Sequence, residues 1–234
     1  MNRSDKIAEL RSLLETKIAR DRMLFERLEE MPIEAVPFWV VDVETTGDRS
    51  IDRIIEIAAI KVRQGEMQRV IHTLVDPGRP VSAFAQNLTG INNRMLAAAP
   101  KPKEVYPWFF SHLKNGVFVA HRASFDRSYI DQEARFLNLK ELTIPTFCTV
   151  RLSKRLIFDL PGYSLDHIAN YFGLEFGIAS SPSSRHRALG DAWVCARAFI
   201  SLLELAQKIG MRTFGEIHEL ESMPIRKAKN LWRI

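Results

Sequence analysis

Cysteine is scarce in this sequence. Two residues in 234, Cys148 and Cys195, stand 47 positions apart and form neither a CxxC pair nor a Cys/His zinc spacing. That excludes a disulfide-stapled secreted scaffold and suits a reducing, cytoplasmic compartment. No apolar run approaches the roughly 18–20 residues that a membrane-spanning helix needs. The opening MNRSDKIAEL is too polar for a secretory signal. Internal repeats and long low-complexity tracts are missing, which excludes a collagen-like or disordered chain. Neither sign of charge dominates: 33 Lys and Arg against 28 Asp and Glu leave a net charge of +5. That balance permits a polyanionic partner without requiring one. What remains is ordinary globular material, 46% hydrophobic and 26% charged. It is long enough for one generous domain with terminal additions.

Residues 1–31 read as an amphipathic helix, with Ile7, Leu10, Leu14, Ile18, Phe25 and Leu28 at helical spacing and Ser4 as its N-cap. Such a helix either packs on the following domain or serves as a dimerisation or partner helix. Pro32 and Pro37 bound a linker. The run FWVVDV at 38–43 predicts a buried central strand. Residues 54–62 and 67–75 predict two more strands, with Gln64-Gly65 as a tight hairpin turn. Helical and irregular material fills 81–115, and 117–120 predicts a fourth strand. A helix follows over 124–137 with Ser124 as N-cap, then a short β segment at 146–150 and a helix opened by Ser164-Leu165. Residues 177–185, rich in Ser, Gly and Pro, predict a mobile loop. Leu189, Trp193, Ala196, Ile200 and Leu203 then form a clean helical stripe. The segment 225–234 carries Arg226, Lys227, Lys229 and Arg233 without an acid and reads as a solvated basic tail. Three strands followed by alternating helices and strands predict a mixed α/β sheet with helices on its faces, its site at strand ends and helix starts.

Three blocks carry chemistry. Asp42 and Glu44 stand two apart at the end of the first strand, so both carboxylates project from one face. Thr45-Thr46-Gly47 follows at once, with Gly47 allowing close backbone approach and the threonines offering donors. Asp126 falls in a helix's first turn after the fourth strand. Asp191 falls in the first turns of the long helix, with His186 at the end of the loop before it. Each block alone has an unremarkable explanation as a solvated strand end or a helix-dipole carboxylate. Together, four acids and one histidine read as a site for two divalent cations. Carboxylate oxygens suit Mg²⁺ or Mn²⁺, and the cations offset the repulsion among the acids. A histidine near its working pKa suits proton removal from an attacking water.

The blocks VVDVETTG (residues 40–47), AHRASFD (120–126) and HRALGDA (186–192) resemble, in content and order, the DEDD exonuclease family of RNase H-like fold, in particular its proofreading epsilon-like members. The resemblance spans about 38–207. It implies a five-stranded mixed sheet with helices on both faces and a 3′→5′ exonuclease releasing nucleoside 5′-monophosphates. It also implies that Asp42, Glu44, Asp126 and Asp191 hold two metal ions and that His186 is the general base. A tyrosine-type member would carry Tyr where this chain has Arg187, so the sequence is similar to the histidine (DEDDh) branch. The resemblance further implies that Thr45, Thr46 and Gly47 approach the 3′-terminal nucleotide. Leu88 would wedge against its base, and Phe125 would line the same pocket. One departure is Arg122, where many relatives have Asn.

The expected organisation is an N-terminal helical extension (1–36), an exonuclease domain (37–210) and a C-terminal extension with a basic tail (211–234). The expected partner is nucleic acid with a free 3′ end, single-stranded DNA first and RNA as the alternative. A polymerase or a second copy of the chain is the candidate partner of the N-terminal helix, and no membrane is involved.

Overall fold

The computed structural model of the protein describes residues 23, 25–47, 51–114, 116–177 and 184–232. Most of the expected N-terminal helix, residues 178–183 of the expected loop and Arg233 lie outside the described residues.

The chain builds a hairpin of β1 (Phe38–Thr45), β2 (Ile54–Arg63) and β3 (Glu66–Leu74). Gln64 and Gly65 both take left-handed φ, 57° and 72°, which matches the strand twist in a two-residue turn. Three helices follow: α1 (Ala83–Thr89), α2 (Asn93–Ala97) and α3 (Pro102–Leu113). Then come β4 (Val117–Ala120), α4 (Ala123–Phe136), β5 (Thr146–Cys148), α5 (Thr149–Leu156) and α6 (Leu165–Phe172). The chain continues with α7 (Ala188–Lys208), α8 (Phe214–Ser222) and α9 (Ile225–Asn230). The five strands form one sheet in the order β3-β2-β1-β4-β5. β2 is antiparallel to β1 and β3, whereas β4 is parallel to β1 and β5.

Strand alternation separates two cores. Phe38 and Val40 of β1 pack with Ala58, Ile60 and Val62 of β2 against Phe199 and Leu202 of α7. Trp39, Val41 and Val43 face the other way, onto Tyr106 and Phe109 of α3 and Ile130 of α4. The expected mixed sheet with helices on both faces is therefore the observed architecture.

Two local expectations need correction, and the C-terminal segment adds structure beyond those expectations. The helix after β4 starts at Ala123, and its N-cap is Arg122 at φ 68° with no side-chain cap bond, not Ser124. Thr149 and Val150, expected in a strand, open α5 instead. Their N-terminal neighbour Cys148 donates its backbone N–H to Glu221 of α8 at 2.7 Å, so a distant carboxylate supports this helix start. Residues 211–222 contain a helix with a Thr213/Glu216 capping box, and Phe214, Ile217 and Leu220 join the α7-side core. The basic segment is helical over Ile225–Asn230, with Ala228 buried and Arg226, Lys227 and Lys229 exposed to solvent as expected.

The flanking segments meet. Phe214 donates its backbone N–H to Met31 O at 3.0 Å, and Phe25 packs edge-on to the Phe214 ring at 5.5 Å.

Candidate active site

Because i and i+2 share a face, Asp42 and Glu44 continue the α7-facing row of Phe38 and Val40. α7 supplies Asp191 from its first turn. Ligand oxygens of Asp42, Glu44 and Asp191 lie within 4.8 Å of one another. Asp126 arrives from the first turn of α4, and its Oδ1 accepts the backbone N–H of Val43 at 3.2 Å. That bond ties the α4 carboxylate to the strand bearing the other two. All the residues proposed from sequence except Thr46 line one cleft of about 420 Å³. Thr46 is buried in the β1–β2 connection. Its hydroxyl donates to Asp52 Oδ1 at 2.6 Å and accepts from the Arg53 N–H at 3.1 Å. Gly47 lies at the cleft, and a Cβ there would fall 2.6 Å from Asp52 Oδ2.

The carboxylates are strained electrostatically. Burial first, then the charges of Asp126, Asp191 and Glu44, push Asp42 well above the usual carboxylate range. Burial, with Asp191 next, raises Glu44 to about 8. Burial raises Asp126 to about 8 despite the Val43 N–H. Asp191 reaches only about 6, because Arg185 beside it opposes the effect of burial. A cluster of hard oxygen donors whose ionised forms repel one another fits a divalent-cation site, since bound positive charge would remove that penalty.

The two histidines of the cleft differ. His121 Nε2 meets the Tyr163 carbonyl at 3.0 Å and Nδ1 meets the Thr149 hydroxyl at 2.9 Å. Burial lowers its pKa to about 4, so it is a neutral strut between β4 and the segment before α6. His186 has φ 61°, and both burial and Arg185 hold its pKa below the ordinary value. It is therefore neutral near pH 7 and able to accept a proton.

Sequence reasoning missed three contributors. Phe84 is exposed on α1 one turn before Leu88, and both line the cleft together with Phe125; their i, i+4 spacing was the available signal. Arg185 carries an ion pair to Asp191. Glu56 is fully buried on β2, directly across from Glu44. Burial alone would raise its pKa, but hydrogen bonds from His72 and Arg187 hold it below the ordinary value. Arg187 reaches both Glu56 oxygens, at 2.6 and 3.0 Å, and the Ala188 N–H adds a third bond at 2.9 Å. A lone acid inside IIEIAAI was the sequence signal. This pair pins the start of α7, and hence Asp191, to the sheet. Arg187→Met is expected to cost about 3 kcal/mol, because it leaves a buried carboxylate short of its main partner. The double variant Glu56→Leu/Arg187→Met should recover most of that in urea denaturation. No recovery would show that the pair is not what the single change disturbs.

The RNase T exonuclease family model matches residues 39–199. The chain belongs to this exonuclease family. A DNA polymerase III epsilon subunit from Aquifex aeolicus is 34% identical over 186 residues, covering 79% of this chain and 89% of that one. A PolC-type DNA polymerase III from Caldanaerobacter subterraneus subsp. tengcongensis is 40% identical over 185 residues. That alignment covers 78% of this chain but only 13% of the polymerase, so the exonuclease matches a small part of PolC. Among solved structures, exonuclease X with 5′-overhanging duplex DNA aligns at TM-score 0.62 and 27% identity. It covers 79% of this chain and 99% of exonuclease X. E. coli exonuclease I with a dT13 oligonucleotide shares the fold at TM-score 0.63 and 15% identity, over 74% of this chain and 43% of that one. Among the described residues no helix is long and apolar enough to cross a membrane.

Proposed function

We propose that this exonuclease removes nucleotides from the 3′ end of single-stranded DNA, releasing nucleoside 5′-monophosphates with the help of two divalent cations. The observation that carries the reading is the convergence of the Asp42, Glu44 and Asp191 oxygens within 4.8 Å, at a cleft that also holds Asp126 and His186. The DNA named with exonuclease X and the DNA polymerase III relatives support DNA as the substrate.

Asp42, Glu44, Asp126 and Asp191 hold the cations, Mg²⁺ or Mn²⁺. When bound, these supply the positive charge that stabilises the attacking and leaving oxygens of a phosphoryl displacement. His186 takes the proton of the attacking water. The water oxygen forms the new bond to phosphorus, the bond from phosphorus to the 3′ oxygen breaks, and that oxygen regains a proton. The products are a nucleoside 5′-monophosphate and a chain one residue shorter.

Phe84, Leu88 and Phe125 give the cleft an apolar rim on which a terminal base can rest. Such contact reads no particular base. Thr45 and Gly47 lie where the terminal sugar would approach, although the Thr45 hydroxyl is already committed to the Gly47 carbonyl. Arg122 lines the cleft too, and its guanidinium would suit a backbone phosphate.

The test uses 5′-labelled DNA and RNA of one sequence with Mg²⁺, Mn²⁺ or EDTA. A metal-dependent ladder shortening from the 3′ end, faster on DNA, is expected. Faster decay of RNA would move the substrate to RNA, and endonucleolytic fragments would overturn the exonuclease reading.

A further inference from the structure

Arg185 stands immediately before His186 and touches three polar groups at once. Its Nε and Nη2 donate to the two oxygens of Asp166 on α6, at 2.9 and 3.0 Å. Its Nη1 donates to Asp191 Oδ2 and lies 3.2 Å from His186 Nδ1. The guanidinium also sits over the Phe176 ring, 5.2 Å from its centroid. A guanidinium has donors only, so His186 Nδ1 is the acceptor of that contact. Arg185 thus occupies one proposed cation ligand and, since Nε2 must then carry the ring hydrogen, the single lone pair of neutral His186. The two carboxylates it bridges differ in setting: the Asp166 side chain is 53% exposed and that of Asp191 only 8%. Asp166 is an outer anchor, and Asp191 is the inner, poorly solvated acceptor.

We propose that Arg185 is the built-in counter-ion of the cation site: it neutralises Asp191 while no divalent cation is there, and yields that carboxylate to the cation while staying paired to Asp166. The proposal rests on the reading of Asp191 as a metal ligand. Two consequences follow from the geometry. A divalent cation must displace an ionic hydrogen bond before it gains Asp191, so Arg185 lowers the site's affinity. Release from Asp191 also moves Nη1 away from His186 Nδ1, so the base is freed together with the ligand. Asp166 gives the displaced guanidinium a place to remain, which makes the exchange reversible. Arg185 is a positioning residue in this scheme, because it acts through Asp191 and His186 rather than on substrate.

The scheme predicts opposite effects from the two ends of the bridge. The experiment titrates the full chain with Mn²⁺ alone, without nucleic acid, following free Mn²⁺ by electron paramagnetic resonance. Arg185→Gln should bind Mn²⁺ about tenfold more tightly, on the order of one charge-assisted hydrogen bond no longer lost. Asp166→Asn should bind it more weakly than wild type, because Arg185 then loses the alternative carboxylate that holds it by two charge-assisted bonds. Arg122→Gln, which removes another cation from the same cleft, measures the general effect of charge and should shift affinity less than Arg185→Gln. Circular dichroism confirms folding of each variant, and Asp166→Asn still tests the scheme if Arg185→Gln is unstable. Affinity of Arg185→Gln equal to or weaker than wild type overturns the proposal, as does tighter binding by Asp166→Asn. Absence of Mn²⁺ binding in every variant, wild type included, overturns the metal-site reading beneath it as well.

Discussion

Asp42→Asn is expected to abolish turnover by about 10³-fold or more while raising the melting temperature of the metal-free protein at pH 8. The loss follows from removing a ligand whose cation contributes several kcal/mol to the transition state, each 1.36 kcal/mol being tenfold in rate. The gain in stability follows from the same side chain's surroundings. Asp42 is pushed well above the carboxylate range by burial, then by Asp126, Asp191 and Glu44. An acid whose pKa is higher in the folded than in the unfolded chain stabilises the fold fully only below the unfolded value of about 4. That contribution is lost as pH rises through the folded value, which for Glu44 and Asp126 is about 8. In EDTA the acidic cluster should therefore lower stability between about pH 4 and 8, and Mg²⁺ should restore it. Asn at position 42 removes a group whose ionisation the fold opposes and lessens the repulsion on the remaining three acids. Melting curves in EDTA at pH 5 and pH 8 check this directly. A lower melting temperature for Asp42→Asn at pH 8 would give Asp42 a structural role, and retained activity would remove it from the metal site.

The parts of this site that were legible in the sequence share one property: local spacing determines them. DxE at the end of an apolar run puts two carboxylates on one strand face whatever the rest of the chain does. The helical periodicity from Leu189 to Leu203 similarly puts Asp191 in the first turn of α7, although Trp193 of that stripe is exposed. What escaped depends on distant partners. Glu56 and Arg187 are 131 positions apart, and only the folded sheet makes their ion pair apparent. Helix α5 opens on β-branched Thr149 and Val150, which argue locally for a strand. The preference is overridden where Glu221 of α8 accepts the Cys148 N–H and the Arg151 guanidinium. Arg122 was visible as a departure from related sequences, but its left-handed backbone conformation was not, because that conformation usually selects Gly or Asn. Phe214, Ile217, Leu220 and Ala228 are buried in the core on the α7 side of the sheet, which is why the C-terminal helices dock there rather than standing apart.

His186→Ala is expected to slow hydrolysis by roughly 10²- to 10⁴-fold, the range for loss of a positioned general base. Its pH dependence separates this role from a structural one. Burial and the neighbouring Arg185 hold the His186 pKa below its ordinary value. The wild-type rate at saturating Mn²⁺ should therefore climb with pH only below about 6.5 and then level off, since the ring must be neutral to accept a proton. Saturating Mn²⁺ matters, because the carboxylates themselves titrate between about 6 and 8 in the metal-free site and would otherwise impose their own rise. With the imidazole gone, the attacking water loses its proton only to solvent. The His186→Ala rate should then keep climbing with pH through 8.5, and the gap to wild type should narrow as hydroxide becomes more abundant. A structural role would instead lower the rate by a constant factor at every pH and leave the shape of the profile intact. A change under about threefold would show that another group takes the proton. His121 is a poor substitute, because both its ring nitrogens are engaged by Thr149 and Tyr163 and burial keeps it neutral down to about pH 4.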